Sequence, residues 1–73
     1  MNVQDIIYEI AESNTITYDK YIYLISKLFK ITNTYNKDLL SLDGYKFIKT
    51  EKDVNLNEIL NFRKSKYRNL NSD

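Results

Sequence analysis

Apolar residues recur along this chain at helical spacing in three places. Val3, Ile6, Ile7, Ile10 and Ala11 stand at i, i+3, i+4, i+7 and i+8, which puts them on one stripe of a helix over residues 3–12. Asn2 is placed to cap that helix and Asp5 to favour its positive end. Ser13 and Asn14 interrupt the pattern. Thr17 then offers a second cap before Tyr18, Tyr21, Ile22, Ile25, Leu28 and Phe29, which predict a helix over 18–31. Leu24 and Ile31 lie off the main stripe, so this helix is apolar on two sides and is expected at the centre of the core. Its solvated strip is narrow: Asp19, Lys20, Tyr23, Lys27 and Lys30. Positions 18, 21, 25, 28, 32 and 35 also fit an a/d heptad, but two heptads with polar members are too short for a coiled coil.

Residues 33–37 read as a loop, and the pattern changes character after it. Asp43-Gly44 between apolar runs is a tight-hairpin signal, although a lone glycine also caps short helices. Tyr45, Phe47 and Lys49 alternate with Lys46 and Ile48, as in a strand. The expectation is a short helix or strand at 38–42 and a strand at 45–50, forming a short β-hairpin around 39–50. Residues 50–53 read as a turn. Asn55 with Glu58 three residues on resembles a capping box opening a last helix over 55–70, with Leu56, Ile59, Leu60, Tyr67 and Leu70 on one face. The fold class expected is α+β: one small domain over 1–73, dominated by three helices (3–12, 18–31, 55–70), with frayed last residues.

Composition narrows the functional classes. Seventy-three residues hold one small domain, with no room for a second core. No His, no Cys and a single Gly exclude zinc fingers, disulfide scaffolds, Ser-His or Cys-His nucleophiles, P-loops and dinucleotide-binding glycine motifs. Ile, Leu, Val and Phe fill 22 of 73 positions, above the roughly 20% below which disorder is the better reading. Chains this small often lean on a disulfide, a metal or a partner for stability. With cysteine absent and no metal motif, self-association or docking onto a larger protein gains weight, and a homodimer is expected.

Charge sharpens that picture. Uncharged stretches such as 21–26 are far shorter than the ~20 residues of a membrane span. The first 19 residues carry four acids and no base, the reverse of a signal peptide, so no membrane and a cytoplasmic location are expected. Residues 1–29 sum to −2, 30–59 to zero and 60–73 to +3, giving an acidic head and a basic tail. In that tail Arg63, Lys64, Lys66 and Arg68 surround Tyr67, a pattern able to grip phosphate and stack a base. The net charge of +1 is nevertheless far from the footprint of a free-standing nucleic-acid binder.

Candidate chemistry is sparse. Asp53-x-Asn55-x-Asn57 matches the first ligand positions of an EF-hand loop, then fails where Glu58 replaces the required glycine and Lys64 the bidentate glutamate. Glu9 and Glu12 are paired carboxylates on a solvated face, and no enzyme is expected. Seven tyrosines among ten aromatics are many for this length, and tyrosine suits interfaces because it joins a large flat surface to a polar tip. Tyr8, Tyr23, Tyr35 and Phe62 fall off the core stripes and are the candidate anchors. Arg63, Lys64, Lys66, Tyr67 and Arg68 form the candidate rim that steers a partner. No cofactor is expected.

Three resemblances follow. The order helix, helix, short element, hairpin, helix is similar to winged-helix DNA-binding domains, which implies a recognition helix near 36–42 offering Asn36 and Lys37. Leu40-Ser41-Leu42 resembles the middle of the Gln-Leu-Ser-Leu-Phe peptide by which bacterial proteins dock onto the replication sliding clamp, with Leu39 and Asp43 in place of the flanking Gln and Phe. Asn, Ile, Lys and Tyr, residues with AT-rich codons, supply 34 of 73 positions. A small, cysteine-free, motif-free chain of that bias is similar in kind to early phage proteins that disable host replication, transcription or nuclease defence by direct binding. The expectation is therefore a non-enzymatic protein–protein interaction module encoded by a phage or mobile element. It would occlude a larger host protein of the nucleic-acid machinery in the bacterial cytoplasm. The alternative is a small winged-helix-like DNA-binding regulator using the C-terminal basic helix.

Overall fold

The structure is a computed structural model that describes residues 2–50 and 55–66. Helix α1 runs Val3–Glu12, as the apolar stripe predicts, and α2 runs Tyr18–Thr32. Both begin on the caps expected of them. Asn2 accepts from the Asp5 N–H while the Asp5 carboxylate reaches back to the Asn2 N–H, a reciprocal capping box. Thr17 accepts from the Lys20 N–H at 3.1 Å. Helix α2 ends on Asn33 in the left-handed conformation (φ 51°), which asparagine tolerates better than most side chains.

The predicted hairpin over 39–50 is not formed. Lys37–Leu40 makes one turn of 3-10 helix and Leu42–Thr50 is an α-helix, α3; among the described residues there is no strand, so the fold is helical rather than α+β. Two local causes overturn the strand reading. Ser41 caps α3, its hydroxyl oxygen accepting from the Gly44 N–H at 3.2 Å and its carbonyl from the Tyr45 N–H at 3.2 Å. Gly44 does not adopt the positive φ that a tight Asp-Gly hairpin turn requires. It serves instead as a point of close approach. A Cβ there would stand 2.8 Å from the Leu39 Cα and carbonyl oxygen and 2.9 Å from the Asp38 carbonyl oxygen, so the glycine lets the 3-10 turn lie directly against α3.

The predicted last helix is interrupted: residues 56–60 and 64–66 are helical, with a break at 61–63 between them. Helix α4 covers Leu56–Leu60, capped by Asn55, whose side chain accepts from the Glu58 N–H at 2.9 Å. Asn61 closes it by donating from Nδ2 to the Asn57 carbonyl at 2.8 Å, and the Phe62 N–H turns back onto the Ile59 carbonyl. In a continuing helix Phe62 would miss the stripe of Leu56, Ile59 and Leu60. Ending the helix lets its ring fold inward onto Phe47, centroids 4.8 Å apart. The part of the predicted helix at 67–70 lies outside the described residues.

One core joins these pieces. Ile6, Ile10 and Ala11 from α1 meet Tyr21, Leu24, Ile25, Leu28 and Phe29 from α2, with Leu39, Ile48, Ile59 and Phe62 closing it from the remaining segments. Of the α2 residues of the heptad reading, Tyr21, Ile25 and Leu28 are consumed inside the chain's own core, while Tyr18 is partly exposed.

Candidate functional site

Side-chain donors secure the centre of the molecule. The Tyr21 ring is fully buried, and its hydroxyl donates to the Leu39 carbonyl at 2.6 Å. Tyr18 donates to the Leu40 carbonyl, Tyr45 to Ile16 at 3.1 Å, and the Lys49 ammonium to the Ser13 carbonyl. Among the described residues no buried side-chain N or O atom lacks a partner. Burial, with a smaller contribution from the neighbouring Tyr18, pushes the Tyr21 phenol far above the ordinary tyrosine range.

A second junction, farther along the chain, is polar and open. Asn36 accepts the Asp38 N–H at its side-chain oxygen and uses its amide nitrogen to donate to the carbonyls of Leu60 and Phe62, both at 2.9 Å. Asp38 accepts the Lys64 N–H at 3.1 Å. These bonds pin the end of α4 against the loop that follows α2. They leave a notch of about 370 Å³ between them, walled by Tyr35, Lys37 and Asp38 on one side and by Leu60, Asn61 and Arg63 on the other. Tyr35 is 71% exposed, its ring resting 5.6 Å from that of Phe29. The notch thus combines a flat ring, two cations and amide groups. An adjoining cleft of about 390 Å³ shares Asn61 and Arg63 and extends past Glu58 and Lys66.

The residues singled out from sequence are distributed over several surfaces. Tyr35 and Arg63 come together in the notch, although they stand 28 positions apart. Tyr8 stands alone on the outer face of α1 at 69% exposure, and Tyr23 on the outer face of α2. Phe62 is corrected: it is a core residue, 4% exposed, and not a free anchor. Arg63 and Lys66 are exposed and Lys64 is half-buried with its N–H held by Asp38. Tyr67 and Arg68 lie outside the described residues. Lys20 and Lys27 place their ammonium groups 5.3 and 4.8 Å from the centre of the Tyr23 ring. Hydrogen bonding from Lys27 and then its charge hold the Tyr23 phenol below the ordinary tyrosine value, with Lys20 adding a smaller effect in the same direction.

Two resemblances are corrected by this geometry. The segment 36–42 is a 3-10 turn and a cap, followed by α3 and not by a wing, so the winged-helix reading loses both its recognition helix and its hairpin. Leu40-Ser41-Leu42 is folded into the corner before α3, with the Leu40 carbonyl bonded to Tyr18 and the Ser41 hydroxyl spent on capping, which is unlike an extended docking peptide. In the EF-hand reading, Asp53 lies outside the described residues and Asn55 uses its side-chain oxygen as the α4 cap. Among the described residues no group of three or more metal-ligating side chains converges. No helix among them is long and apolar enough to cross a membrane.

The sequence reading missed Asn36 and Asp38 as the struts of the notch, and Asn61 as the stop of α4. Their signal was the kind of residue: asparagine and aspartate bond to nearby backbone and favour caps and turns over helix interiors. Searches against protein-family models, curated proteins and solved structures return no match for this chain.

Proposed function

We propose that this chain is a small non-enzymatic interaction module that binds a larger protein through the Tyr35–Arg63 notch and acts by covering a functional surface of that partner. The observation that carries the reading is Tyr35, a large aromatic held 71% exposed beside Lys37 and Arg63 at the edge of a polar notch. Exposed tyrosine and arginine are the residue types that dominate binding energy at protein interfaces. The flanking cations suit an acidic segment of the partner, drawn in by long-range attraction and retained by the ring. Composition and small size support the remainder of the reading: a product of a phage or mobile element, acting in the cytoplasm of a low-GC bacterium on a protein of the nucleic-acid machinery.

The test is affinity capture of the full chain from such a lysate, with and without nuclease, repeated with Tyr35→Ser and Arg63→Ala. One host protein retained at near-equal stoichiometry after nuclease, and lost with Tyr35→Ser, is the expected result. Capture that vanishes with nuclease would transfer the function to nucleic acid. Capture untouched by either substitution would remove the notch from the interface.

A further inference from the structure

The outer faces of α1 and α2 carry the same arrangement with opposite charge. On α1, Tyr8 stands between Asp5, three residues before it, and Glu12, four after it, with Glu9 at the flank. On α2, Tyr23 stands between Lys20, three before, and Lys27, four after, with Asp19 at the flank and Lys30 one turn beyond, so that this face keeps a net charge of +2. Positions i−3, i and i+4 of a helix fall on one surface strip about 10 Å long. Each strip therefore has an exposed phenol at its centre, 69% on α1 and 53% on α2, and a like charge one turn to either side. The basic strip is already assembled, since both lysine ammonium groups lie over the Tyr23 ring.

We propose that a second copy of this chain is the partner of these faces, the acidic α1 strip of one copy seating on the basic α2 strip of the other. Matching spacing lets both charge pairs form while the two phenol rings meet between them. Opposed potentials of this kind set partner and register as well as attraction. Each strip is repelled by its own kind, so the contact joins unlike surfaces. It uses neither Tyr35 nor Arg63, so it stands or falls independently of the notch.

The experiment is sedimentation of the full chain from micromolar to millimolar concentration at low and high salt, with two charge reversals. At low salt the weight-average mass is expected to rise with concentration from the single-chain 8.8 kDa to at least twice that value, and to return toward 8.8 kDa at high salt as the pairs are screened. Glu9→Lys with Glu12→Lys leaves the Asp5 capping box in place and turns the α1 face from a charge of −3 to +1, so that neither face is acidic. Lys20→Glu with Lys27→Glu makes both acidic. Each variant alone is expected to stay at the single-chain mass, and an equimolar mixture to regain association, which also shows that both variants are folded. A chain that remains single at low salt and millimolar concentration overturns the proposal without any variant. Variants that associate as the parent does, or folded variants whose mixture fails to associate, overturn it equally.

Discussion

Two junctions of this molecule are built from similar materials and serve different ends. Where α2, the 3-10 turn and α3 meet, buried Tyr21 and the flanking Tyr18 and Tyr45 send hydroxyls to backbone carbonyls, and Gly44 admits the turn at van der Waals range. Where the α2 loop meets α4, Asn36 and Asp38 do the joining, the groups are only partly buried, and a notch remains. Tyrosine is used in both. At the first junction the hydroxyls are the fasteners and the Tyr21 ring is inside; at the second, Tyr35 keeps its ring in water. The difference teaches that the tyrosines of this sequence divide into framework and platform, and that a hydroxyl spent on a distant backbone carbonyl, as at Tyr18, Tyr21 and Tyr45, marks the framework.

The strongest way to break the framework is at Gly44. A side chain there meets backbone atoms of Leu39 and Asp38, which cannot swing aside as a flexible side chain does. Gly44→Val is expected to lower stability by about 3 kcal/mol, at the top of the usual range for overpacking. For a 73-residue chain that is a large share of the roughly 4–11 kcal/mol available. Chemical denaturation checks it: a midpoint equal to that of the parent chain would mean that the turn does not seat on Gly44.

A smaller change sharpens the same junction. Tyr21→Phe keeps the ring and removes the buried hydrogen bond to the Leu39 carbonyl, with an expected loss of about 1–2 kcal/mol at neutral pH. The substitution also has a signature in pH. Burial raises the folded-state value of the Tyr21 phenol above the ordinary 10.0, so above that pH the unfolded chain releases a proton which the folded chain retains. Folding stability from this group is therefore fully present below pH 10 and declines above it, by up to about 1.4 kcal/mol per pH unit. The expected observation is a stability gap between parent and Tyr21→Phe that narrows as pH rises beyond 10. A gap of constant size would place the hydroxyl in water.

How much of this was legible in the sequence follows from the range of each signal. Helices α1 and α2 were readable because cap, first-turn acid and apolar stripe agree within ten or fifteen neighbouring residues. Gly44 misled because the atoms that require it, those of Leu39 and Asp38, share no periodic pattern with it, whereas Asp-Gly has a strong local meaning in hairpins. Residues 55–70 read as one helix because the apolar stripe returns at Tyr67, whereas burial of Phe62 against Phe47, a contact across 15 positions, breaks it at 61–63 before helical backbone returns at 64–66. Tyr35 and Arg63 were each visible as an unpaired aromatic and a basic residue. Their meeting was not, since it depends on Asn36 reaching the carbonyls of Leu60 and Phe62.

The smallest expected effect on stability is the one that separates platform from framework most cleanly. Tyr35 is mostly in water, and its contact with Phe29 at 5.6 Å covers little of either ring. Tyr35→Ser is therefore expected to cost about 0.5 kcal/mol, the scale of a surface substitution. The same ring is the main apolar surface that the notch offers a partner, and truncating such an anchor costs a complex about 2 kcal/mol or more, on the order of thirtyfold in affinity. Measuring the thermal midpoint and the partner affinity of one variant tests both halves of the comparison together. A midpoint nearly unchanged beside a lost interaction assigns Tyr35 to the platform. A midpoint that falls as far as that of Tyr21→Phe would show instead that the ring supports the core through Phe29, and that the two junctions are one framework.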